Sequence, residues 1–496
     1  MDSTISQKHP KGLYVLFFAE MWERFSYYGM RAILLMYLID QVSGGLGLSV
    51  ATGSAIYGLY TASVYLLSLP GGWIADNVLG QKKSIFYGGI VIMLGHIILA
   101  IPAGESLFYC GLAVVALGTG LLKPNISSIV GELYPEGGAR RDAAFSIFYI
   151  GINLGSFLGM MLVGYLGQKI NWHLGFGAAA VGMLLGLLVF KFAGDIHLKG
   201  LGAPPVKKPR TAEETEGDRK GKIMGWGLIA LLVIFLSVLQ ISGTINVTTA
   251  QGLAQAMGII IVSVALVYFF YILLAGGLTT TEKKRVGVLI IFFFTAALFW
   301  SGFEQAGTSL QIFAERHTFR TLGSFEFPSS WFQNFNPVFI VTLAPVVASL
   351  WIFLAQKNIN PSIPVKFAIG LFLLAAGFLV MKFGAQQAVT GVLVSPMFLA
   401  STYLLHTLGE LCISPVGLST FTKLAPRRYV SQLMGIWFVA ASLGNLMSGL
   451  FAGNFDEENV AQMPFLFNQV FLLSGGFGLL LLVFYKPIKK WIGGIE

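Results

Sequence analysis

Long apolar runs alternate with short polar segments along the whole chain. Three examples are "AAAVGMLLGLLVFKFA", "GLIALLVIFLSVLQI" and "FLLSGGFGLLLLVFY". A helix needs about 20 residues to cross a bilayer, and runs of this kind predict fourteen membrane-spanning helices. They are expected near 13–39, 52–76, 84–101, 107–132, 142–167, 174–194, 223–241, 255–275, 286–312, 331–356, 365–382, 396–421, 428–452 and 465–486.

The longest polar segment divides these helices into groups. It covers 195–222, follows the sixth helix, and is separated by two further helices from a final group of six. This order predicts an N-terminal six-helix bundle at 1–195, a linker with two extra helices at 196–285, and a C-terminal six-helix bundle at 286–496. We expect the two bundles to face each other around a central cavity.

Composition agrees with a membrane protein. The chain has 496 residues, of which 55% are hydrophobic and only 11% charged, whereas soluble domains carry about 25% charged residues. Mean hydropathy is +0.75. The two cysteines, Cys110 and Cys412, lie in different apolar segments, so the sequence suggests neither a disulfide framework nor a metal site.

The net charge of +9 reflects topology. With both termini in the cytoplasm, 25 of the 32 lysines and arginines fall on the cytoplasmic side, 4 outside and 3 within the membrane. This asymmetry follows the positive-inside rule. The basic charge therefore predicts cytoplasmic termini, with anionic lipid as a minor partner, and gives no reason to expect binding of nucleic acid.

Seven ionisable residues fall inside predicted membrane helices, where a charge at mid-bilayer costs about 2.5–3.5 kcal/mol and usually serves a function. They are Glu20, Glu23, Arg24, Arg31, Lys123, Glu304 and Glu410. In the first helix, positions 20, 23, 24, 27, 28 and 31 follow the spacing of one helical face, so they form a polar stripe that includes Tyr27 and Tyr28. A purely structural ion pair is the alternative for Glu20 and Arg24.

A charge count within this set suggests a proton-binding site. Four of the seven residues are acids and three are bases, so one carboxyl group lacks a cationic partner. Burial disfavours the charged form of an unpaired carboxyl group. We therefore expect one of the four acids to bind a proton near physiological pH.

Several longer motifs agree with this reading. The segment "GGWIADNVLGQKKS" resembles a cytoplasmic loop of the major facilitator superfamily, with Gly72, Asp76, Gly80, Lys82 and Lys83 at its defining positions. The pattern "ExxERFSYYGMR", from Glu20 to Arg31, is followed by "GTGLLKPNI", "FYIGINLGSF" and "GELCISPVGLS". Together they resemble the proton-dependent oligopeptide transporter family, the peptide transporter branch of that superfamily. The extra helix pair is typical of bacterial members.

The resemblance implies roles for the charged residues. The proton-coupling group is Glu20, Glu23, Arg24 and Glu304. Lys123 is expected to pair with Glu410 or with the first helix and to close the cytoplasmic side, while Arg31 and Glu304 are expected to pair on the outer side. The loop after the second helix would hold neighbouring helices together through a buried Asp76.

The implied ligand is a zwitterionic peptide, which requires cations, an anion, neutral hydrogen-bonding groups and aromatic walls. The predicted substrate-binding residues are Arg24, Tyr27, Tyr28, Arg31, Tyr65, Lys123, Asn153, Glu304, Asn336, Glu410 and Trp437. Alternatives stay open for two of them. The helix of Asn153 carries a ridge of small residues suited to helix packing, and Asn336 could satisfy a carbonyl group freed by Pro337. His406, one turn before Glu410, is expected to be an ordinary packed histidine or a modulator of that acid.

We therefore expect a proton-coupled symporter that imports di- and tripeptides by alternating access, as a monomer in a bacterial inner membrane, with the proton as coupling ion and no other cofactor. The nearest rival is a related carrier for nitrate, a sugar conjugate or a drug. An intramembrane enzyme would need a catalytic motif such as H-E-x-x-H, which the sequence lacks. A sensor built on a transporter would need a larger soluble extension than the 28-residue linker.

Overall fold

A computed structural model of the chain describes residues 8–136, 138–203, 227, 230–455 and 460–494. These residues are almost entirely helical, apart from one hairpin of two two-residue strands, β1 Thr321–Leu322 and β2 Phe325–Glu326. The helices are α1 Lys11–Ile39, α2 Val50–Leu66, α3 Ser68–Ile74, α4 Gln81–Leu99, α5 Glu105–Glu132, α6 Gly138–Tyr165, α7 Trp172–Phe192, α8 Gly194–His197, α9 Ala230–Ile241, α10 Ala250–Ala275, α11 Thr280–Phe303, α12 Ser309–His317, α13 Phe335–Gln356, α14 Ile363–Ala388, α15 Met397–Leu424, α16 Val430–Ala452, α17 Met463–Val483 and α18 Tyr485–Ile492.

The described helices fit the predicted membrane spans. Eleven segments are long and apolar enough to cross a bilayer. Helices α1 and α15 are 29 and 28 residues long. They are not among these eleven segments, because their polar and charged residues make them less apolar than the others. Helix α9 covers the described end of the predicted 223–241 span, while residues 223–226 and 228–229 of that span lie outside the described residues.

Each half of the molecule has its own helix packing. In the N-terminal half, α1 packs on α6 and α7, and α4 packs on α5 and α7. In the C-terminal half, α14 packs on α15 and α17, and α11 packs on α16. The halves meet where α2 packs on α16 and where α6 packs on α13, and α10 contacts both α2 and α16. One of the two extra helices thus lies along the seam between the halves.

Glycines set how closely the helices approach. A Cβ atom at Gly155 would lie 2.8 Å from the carbonyl carbon of Met21 and 3.1 Å from Cβ of Arg24. At the seam, a Cβ atom at Gly58 of α2 would lie 3.2 Å from Cα of Gly449 in α16. The small residues of α6 therefore form the packing ridge that the sequence suggested, and they bring α6 against the polar stripe of α1.

Two predicted helices are broken. The 52–76 span divides after Leu66, and the 286–312 span divides into α11 and α12 around a tight turn at Glu304–Gly307. In that turn Gly307 contacts the hydroxyl group of Tyr57, which leaves no space for a side chain. The prediction of one continuous helix was wrong here because a contact with α2 interrupts it. Glu304 consequently lies at a helix break, a common location for binding residues in transporters.

The predicted 331–356 helix begins differently from the prediction. A tight turn covers Ser329–Asn334, and α13 starts at Phe335. Pro337 therefore lies in the first turn of α13, where its missing N–H costs little. The suggestion that Pro337 frees a carbonyl group within a helix was wrong for this reason, and Asn336 needs another explanation.

The cytoplasmic loop after α3 also differs from the prediction. Asp76 is exposed, so it is not the buried latch that the motif suggested. Instead, Lys82 Nζ lies 3.1 Å from Asp195 Oδ1, and the backbone N–H of Lys82 donates to the carbonyl oxygen of Gly202 at 3.2 Å. The start of the predicted 195–222 linker is thus folded against α4, while 204–222 lies outside the described residues.

Candidate functional site

A cavity of about 170 Å³ lies between the two halves. The lining includes Tyr28, Arg31, Tyr65, Tyr149, Asn153, Ser156, Trp300, Glu304, Gln333, Asn336, Tyr403, His406 and Glu410. A larger cavity of about 590 Å³ shares Tyr149, Ile340 and Glu410 with it and extends along α13 and α15 to Lys366 and Lys423. The central cavity therefore continues toward the ends of the helices that the charge distribution assigns to the cytoplasm.

The polar stripe of α1 is buried, as a cavity-lining or pairing stripe must be. Arg24 Nε lies 2.8 Å from Glu20 Oε1 and 2.7 Å from Glu23 Oε2, and all three side chains are at most 4% exposed. Glu20 Oε2 and Glu23 Oε1 have no hydrogen-bond partner among the described residues. Two carboxyl groups therefore share one guanidinium group, and this cluster has an excess of acid.

On the outer side of the cavity, Arg31 contacts Glu304. The Arg31 Nη2 and Glu304 Oε2 atoms form a hydrogen-bonded ion pair, with the two side chains 8% and 5% exposed. Arg31 Nε also donates to the hydroxyl oxygen of Tyr57 at 2.7 Å. These contacts join α1 and α2 of the N-terminal half to the break between α11 and α12 of the C-terminal half.

The predicted pair between Lys123 and Glu410 is not formed in this conformation. Lys123 Nζ lies 3.7 Å from the centroid of the Tyr65 ring, and among the described residues it forms no ion pair. Glu410 Oε2 instead accepts a hydrogen bond of 3.0 Å from Asn336 Nδ2. The physical reason is that the larger cavity reaches Glu410 from the cytoplasmic side, so α15 is not closed against α5.

The two candidate asparagines differ in what they contact. Asn336 Nδ2 donates to both Glu410 Oε2 and Thr407 Oγ1, at 3.0 and 3.1 Å, so it positions the carboxyl group of Glu410. Asn153 Nδ2 donates to the carbonyl oxygen of Tyr149 within its own helix at 2.9 Å. Both side chains line the central cavity, and the carbonyl oxygen of Asn153 is available to a ligand.

Four predicted substrate-binding residues, Tyr27, Trp437, Arg24 and Lys123, line neither cavity. Tyr27 is buried, and its ring centroid is 5.1 Å from that of Tyr28. Trp437 is also buried; it packs 5.2 Å from the Phe421 ring, covers Gly417, and lines neither of the two cavities described above. Arg24 is likewise absent from their linings. The structure therefore gives Trp437 a packing contact in place of the predicted pocket position.

His406 lies in the wall between aromatic rings. Its ring centroid is 5.0 Å from that of Phe378 and 6.5 Å from that of Phe303, and the side chain is buried. This placement agrees with the packed histidine of the simpler interpretation, although the residue also lines the central cavity.

Sequence reasoning missed several lining residues, among them Tyr149, Trp300, Gln333 and Tyr403. Tyr149 and Trp300 could have been found, because each lies one turn before a predicted residue, Asn153 or Glu304, on the same helix face. Gln333 lies in the tight turn before α13, and no periodic pattern in the sequence indicates that turn.

The outer ends of the two halves are joined above the cavity. Gln168 Nε2 donates to Ser329 Oγ at 2.9 Å, and Gln168 Oε1 accepts from the backbone N–H of Ser330 at 3.0 Å. Lys169 Nζ donates to Glu326 Oε2 at 2.9 Å. The hydrogen bond from Lys169 and the charge of Arg320 lower the pKa of Glu326, so this contact is ionic at neutral pH.

The arrangement suits a zwitterionic ligand. Arg31 offers a cation at the outer end of the cavity, and Glu410 offers an anion where the cavity opens toward the cytoplasm. Amide and tyrosine side chains lie between them. A buried cavity that lies between two helix bundles, carries both a cation and an anion in its wall, and is closed on one side only is the defining feature of a membrane transporter.

Comparisons with known proteins identify the family. The POT family profile matches residues 82–469, and the chain belongs to this family of proton-dependent oligopeptide transporters. It is 41% identical over 495 residues to the peptide transporter YePEPT of Yersinia enterocolitica, covering 98% of this chain and 96% of that protein. It is 36% identical over 495 residues to a di-/tripeptide transporter of Lactococcus lactis subsp. cremoris, covering 98% and 97%.

A solved structure extends the comparison to the fold. The crystal structure of a peptide transporter POT in complex with sulfate has a TM-score of 0.86 and 41% identity, and the match covers 99% of this chain and 97% of that one. The protein therefore has the all-α major facilitator superfamily fold, with two six-helix bundles and two extra helices. The domain boundaries at 195 and 285 stay predictions.

Proposed function

We propose that this protein is a proton-coupled symporter that imports di- and tripeptides by alternating access. The observation that carries the proposal is the grouping of the seven ionisable residues. Five of them, Glu20, Glu23, Arg24, Arg31 and Glu304, are buried, and Arg31, Glu304 and Glu410 line a cavity between the halves. If these ionisable residues faced lipid tails or headgroups, they would not support coupled transport in this way.

The proton-coupling role rests on the cluster in α1. Two carboxyl groups share Arg24, at 2.8 and 2.7 Å. A proton on either acid leaves a neutral cluster, whereas its loss leaves a buried excess negative charge, which is costly. A change of charge in this cluster would act on Lys123, the cytoplasmic gate residue, because charges interact strongly in a low-dielectric interior.

Alternating access would exchange two ion pairs. In this conformation the Arg31–Glu304 pair closes the outer side, and Lys123 and Glu410 are separate. We expect the reverse in the outward-open state: Lys123 meets Glu410 while Arg31 and Glu304 part. A buried pair is close to balance between attraction and desolvation, so the binding of a proton or a peptide can shift such an equilibrium by the few kcal/mol that separate two states.

The substrate assignment rests on charge and size. A peptide carboxylate would contact Arg31, the ammonium group would contact Glu410, and Asn153 and Asn336 would bind the peptide amide. The cavity of about 170 Å³ that holds Arg31, Asn153 and Asn336 continues at Glu410 into the larger cavity of about 590 Å³. The two together offer a volume within the usual range of about 300–1,000 Å³ for small-ligand sites. A nitrate or sugar carrier would have no use for an anion such as Glu410 opposite Arg31.

Uptake by purified protein in liposomes tests the proposal. A pH gradient should drive accumulation of labelled dialanine, and excess unlabelled dialanine should block it while nitrate and glucose should not. Glu20→Gln should retain peptide exchange at equal pH and lose concentrative uptake, whereas the exposed control Glu136→Gln should behave as wild type. Uptake that ignores the imposed pH gradient would refute proton coupling.

The proposal includes the cellular setting. The family relatives are bacterial, and the excess of basic residues on one side supports a multi-pass inner-membrane protein with both termini in the cytoplasm. We propose a functional monomer, because the complete cavity is built from residues of one chain. Mass measurement of the active, reconstituted protein tests this point.

A further inference from the structure

An apolar groove at the C-terminal end of the chain is not used by the transport mechanism. It has a volume of about 300 Å³ and is lined only by apolar side chains. Most of them come from three helices: Ile291 of α11, Phe477, Leu480 and Leu481 of α17, and Pro487, Ile488 and Trp491 of α18. Phe484 lies between α17 and α18 and completes the lining.

The groove follows α17 toward its C-terminal end and continues along α18. With the start of α11 at Thr280 and the end of α17 at Val483 placed at the cytoplasmic surface, as proposed above, Ile291 and Phe477 would lie deep in the membrane and Phe484 and Trp491 near its surface. Phe477 and Phe484 are seven positions apart, which corresponds to about 10 Å of helix rise. The groove therefore has the orientation and the apolar lining of a site for a lipid acyl chain.

Basic residues surround the shallow end of the groove. Lys486, Lys489 and Lys490 are exposed on α18 and share one helical face, beside groove residues Pro487 and Trp491. The first turn of α11 adds the basic cluster Lys283–Arg285. The acid of that turn, Glu282, accepts two hydrogen bonds of 2.9 Å at its Oε2 atom, from the backbone N–H and from the hydroxyl group of Thr279.

The two basic segments are fixed beside each other. Arg285 Nε donates to the carbonyl oxygen of Ile492 at 3.2 Å, at the end of α18. A Cβ atom at Gly287 would lie 3.5 Å from the Trp491 ring. Helix α18 is thus an amphipathic helix, with Ile488 and Ile492 buried and lysines exposed, held against the start of α11.

We propose that this groove binds one anionic phospholipid, with an acyl chain along Phe477, Leu480 and Phe484 and the phosphate on the lysines of α18 and α11. Charge complementarity selects this occupant, since a zwitterionic lipid fits the groove and gains little from the lysines. Each lysine near an anionic headgroup contributes about 1 kcal/mol, or about fivefold in affinity. The inference uses the cytoplasmic placement of this end, proposed above, and does not depend on the substrate.

Lipid binding to the purified full-length protein tests the site. Native mass spectrometry should show phosphatidylglycerol binding at least about tenfold more tightly than phosphatidylcholine with the same acyl chains. The variant K486Q/K489Q/K490Q should lose this preference. The matched control K8Q/K11Q/K357Q removes three lysines elsewhere on the same side and should keep it. Thermal unfolding verifies that each variant is folded.

A second variant tests the apolar part. Leu480→Trp fills the groove and should weaken binding of both lipids without removing the charge preference. Equal affinity of wild type for the two lipids, or equal loss in the two triple variants, would overturn the site. Displacement of the lipid by inorganic phosphate would overturn the acyl-chain assignment. None of these measurements involves transport, so their failure is distinguishable from failure of the proposed symport.

Discussion

The outer and cytoplasmic sides of the central cavity differ in how the two halves meet. On the outer side, Arg31 pairs with Glu304, and Gln168 and Lys169 bind Ser329 and Glu326 across the interface. On the cytoplasmic side, Lys123 lies on Tyr65 and Glu410 binds Asn336, each within its own half of the molecule. The same kinds of residues are present on both sides, and only the outer ones pair across the seam.

With the sides assigned by the positive-inside rule, this difference corresponds to a conformation that is closed outside and open inside. It also shows why isolated ion pairs are informative in a transporter. A pair that bridges the halves stabilises one state only, whereas a pair within one half stabilises both states equally and cannot bias the equilibrium. The predictions below change the bridging contacts one at a time.

The largest effect is expected from Arg31→Ala. It leaves Glu304 buried without its cation, and breaking one partner of a buried pair costs about 3–5 kcal/mol. We expect dialanine uptake to fall more than about a hundredfold and the outer side to open. Spin labels at Ala103 and Val392, on outer loops of the two halves, should move apart.

The control for this change is Lys357→Ala, which removes an exposed charge at the other end of the molecule. The double variant R31A/E304Q removes both charges and should recover part of the thermal stability without recovering uptake. Unchanged label distances in Arg31→Ala would mean that this pair does not hold the outer side closed.

A smaller effect is expected from Gln168→Ala. This side chain makes three hydrogen bonds across the outer seam, to Ser329, to Glu315 and to the backbone N–H of Ser330. A typical hydrogen bond contributes about 0.5–1.5 kcal/mol, so the closed outer side should lose about 1.5–4.5 kcal/mol. The measurement is again the distance between the labels at Ala103 and Val392.

Gln168→Glu is the matched variant for this position. It keeps the acceptor for Ser330 but places a carboxylate against Glu315, whose Oε2 lies 3.2 Å from the Nε2 atom that is replaced. Like-charge repulsion should therefore open the outer side at least as much as Gln168→Ala does. A variant that opens no more than wild type would show that the ion pairs alone close the outer side.

The polar stripe of α1 was predictable because its spacing alone places the residues on one face. The burial of Glu20, Glu23 and Arg24 follows from an apolar helix that carries charges. Glu304 was identified as an intramembrane acid, but its helix break was not. The cause of the break is the contact of Gly307 with Tyr57, which are about 250 positions apart in the sequence.

Other features depend on tertiary contacts or on the conformation. The separation of Lys123 from Glu410 depends on which side of the cavity is open, and one sequence encodes both states. The position of Trp437 depends on Gly417, a glycine that leaves space for the indole ring. The outer contacts of Gln168 and Lys169 lie in loops, where no periodicity indicates a partner.

A third prediction concerns the side that is open. Because Lys123 and Glu410 form no pair here, Glu410→Gln should change the free energy of unfolding of this state by less than about 1 kcal/mol. It should nevertheless slow uptake about tenfold, because the outward-open state loses its closing pair. Uptake and thermal unfolding, measured on the same preparation, separate the two effects.

The charge exchange K123E/E410K tests whether the two residues ever meet. It should close the cytoplasmic side more fully than either single change, since the pair can form again with the charges reversed. Uptake should stay low, because E410K removes the anion proposed for the peptide ammonium group. Double-mutant analysis gives the coupling energy directly. A coupling energy near zero would mean that Lys123 closes the cytoplasmic side through α1, the other partner that the sequence allowed.

The smallest effect is expected from the exposed outer contact between Lys169 and Glu326. The side chain of Glu326 is 51% exposed. Exposed ion pairs contribute about 0.2–1 kcal/mol to stability. Glu326→Gln at pH 7 should therefore move the label distances only slightly. Lys169→Gln, the change on the other partner, should have the same small effect, and the double variant should add little.

The pH dependence of this contact has a definite sign. The hydrogen bond from Lys169 and the charge of Arg320 lower the pKa of Glu326 when the outer side is closed. A lowered pKa means that the contact stabilises the closed side fully above the ordinary carboxyl pKa, and that this contribution is lost as the pH falls through the lowered value. Between pH 7 and pH 5 the label distances of wild type and Glu326→Gln should differ by a constant amount, and the difference should disappear only in stronger acid. A difference that disappears between pH 7 and pH 6 would contradict a lowered pKa for Glu326.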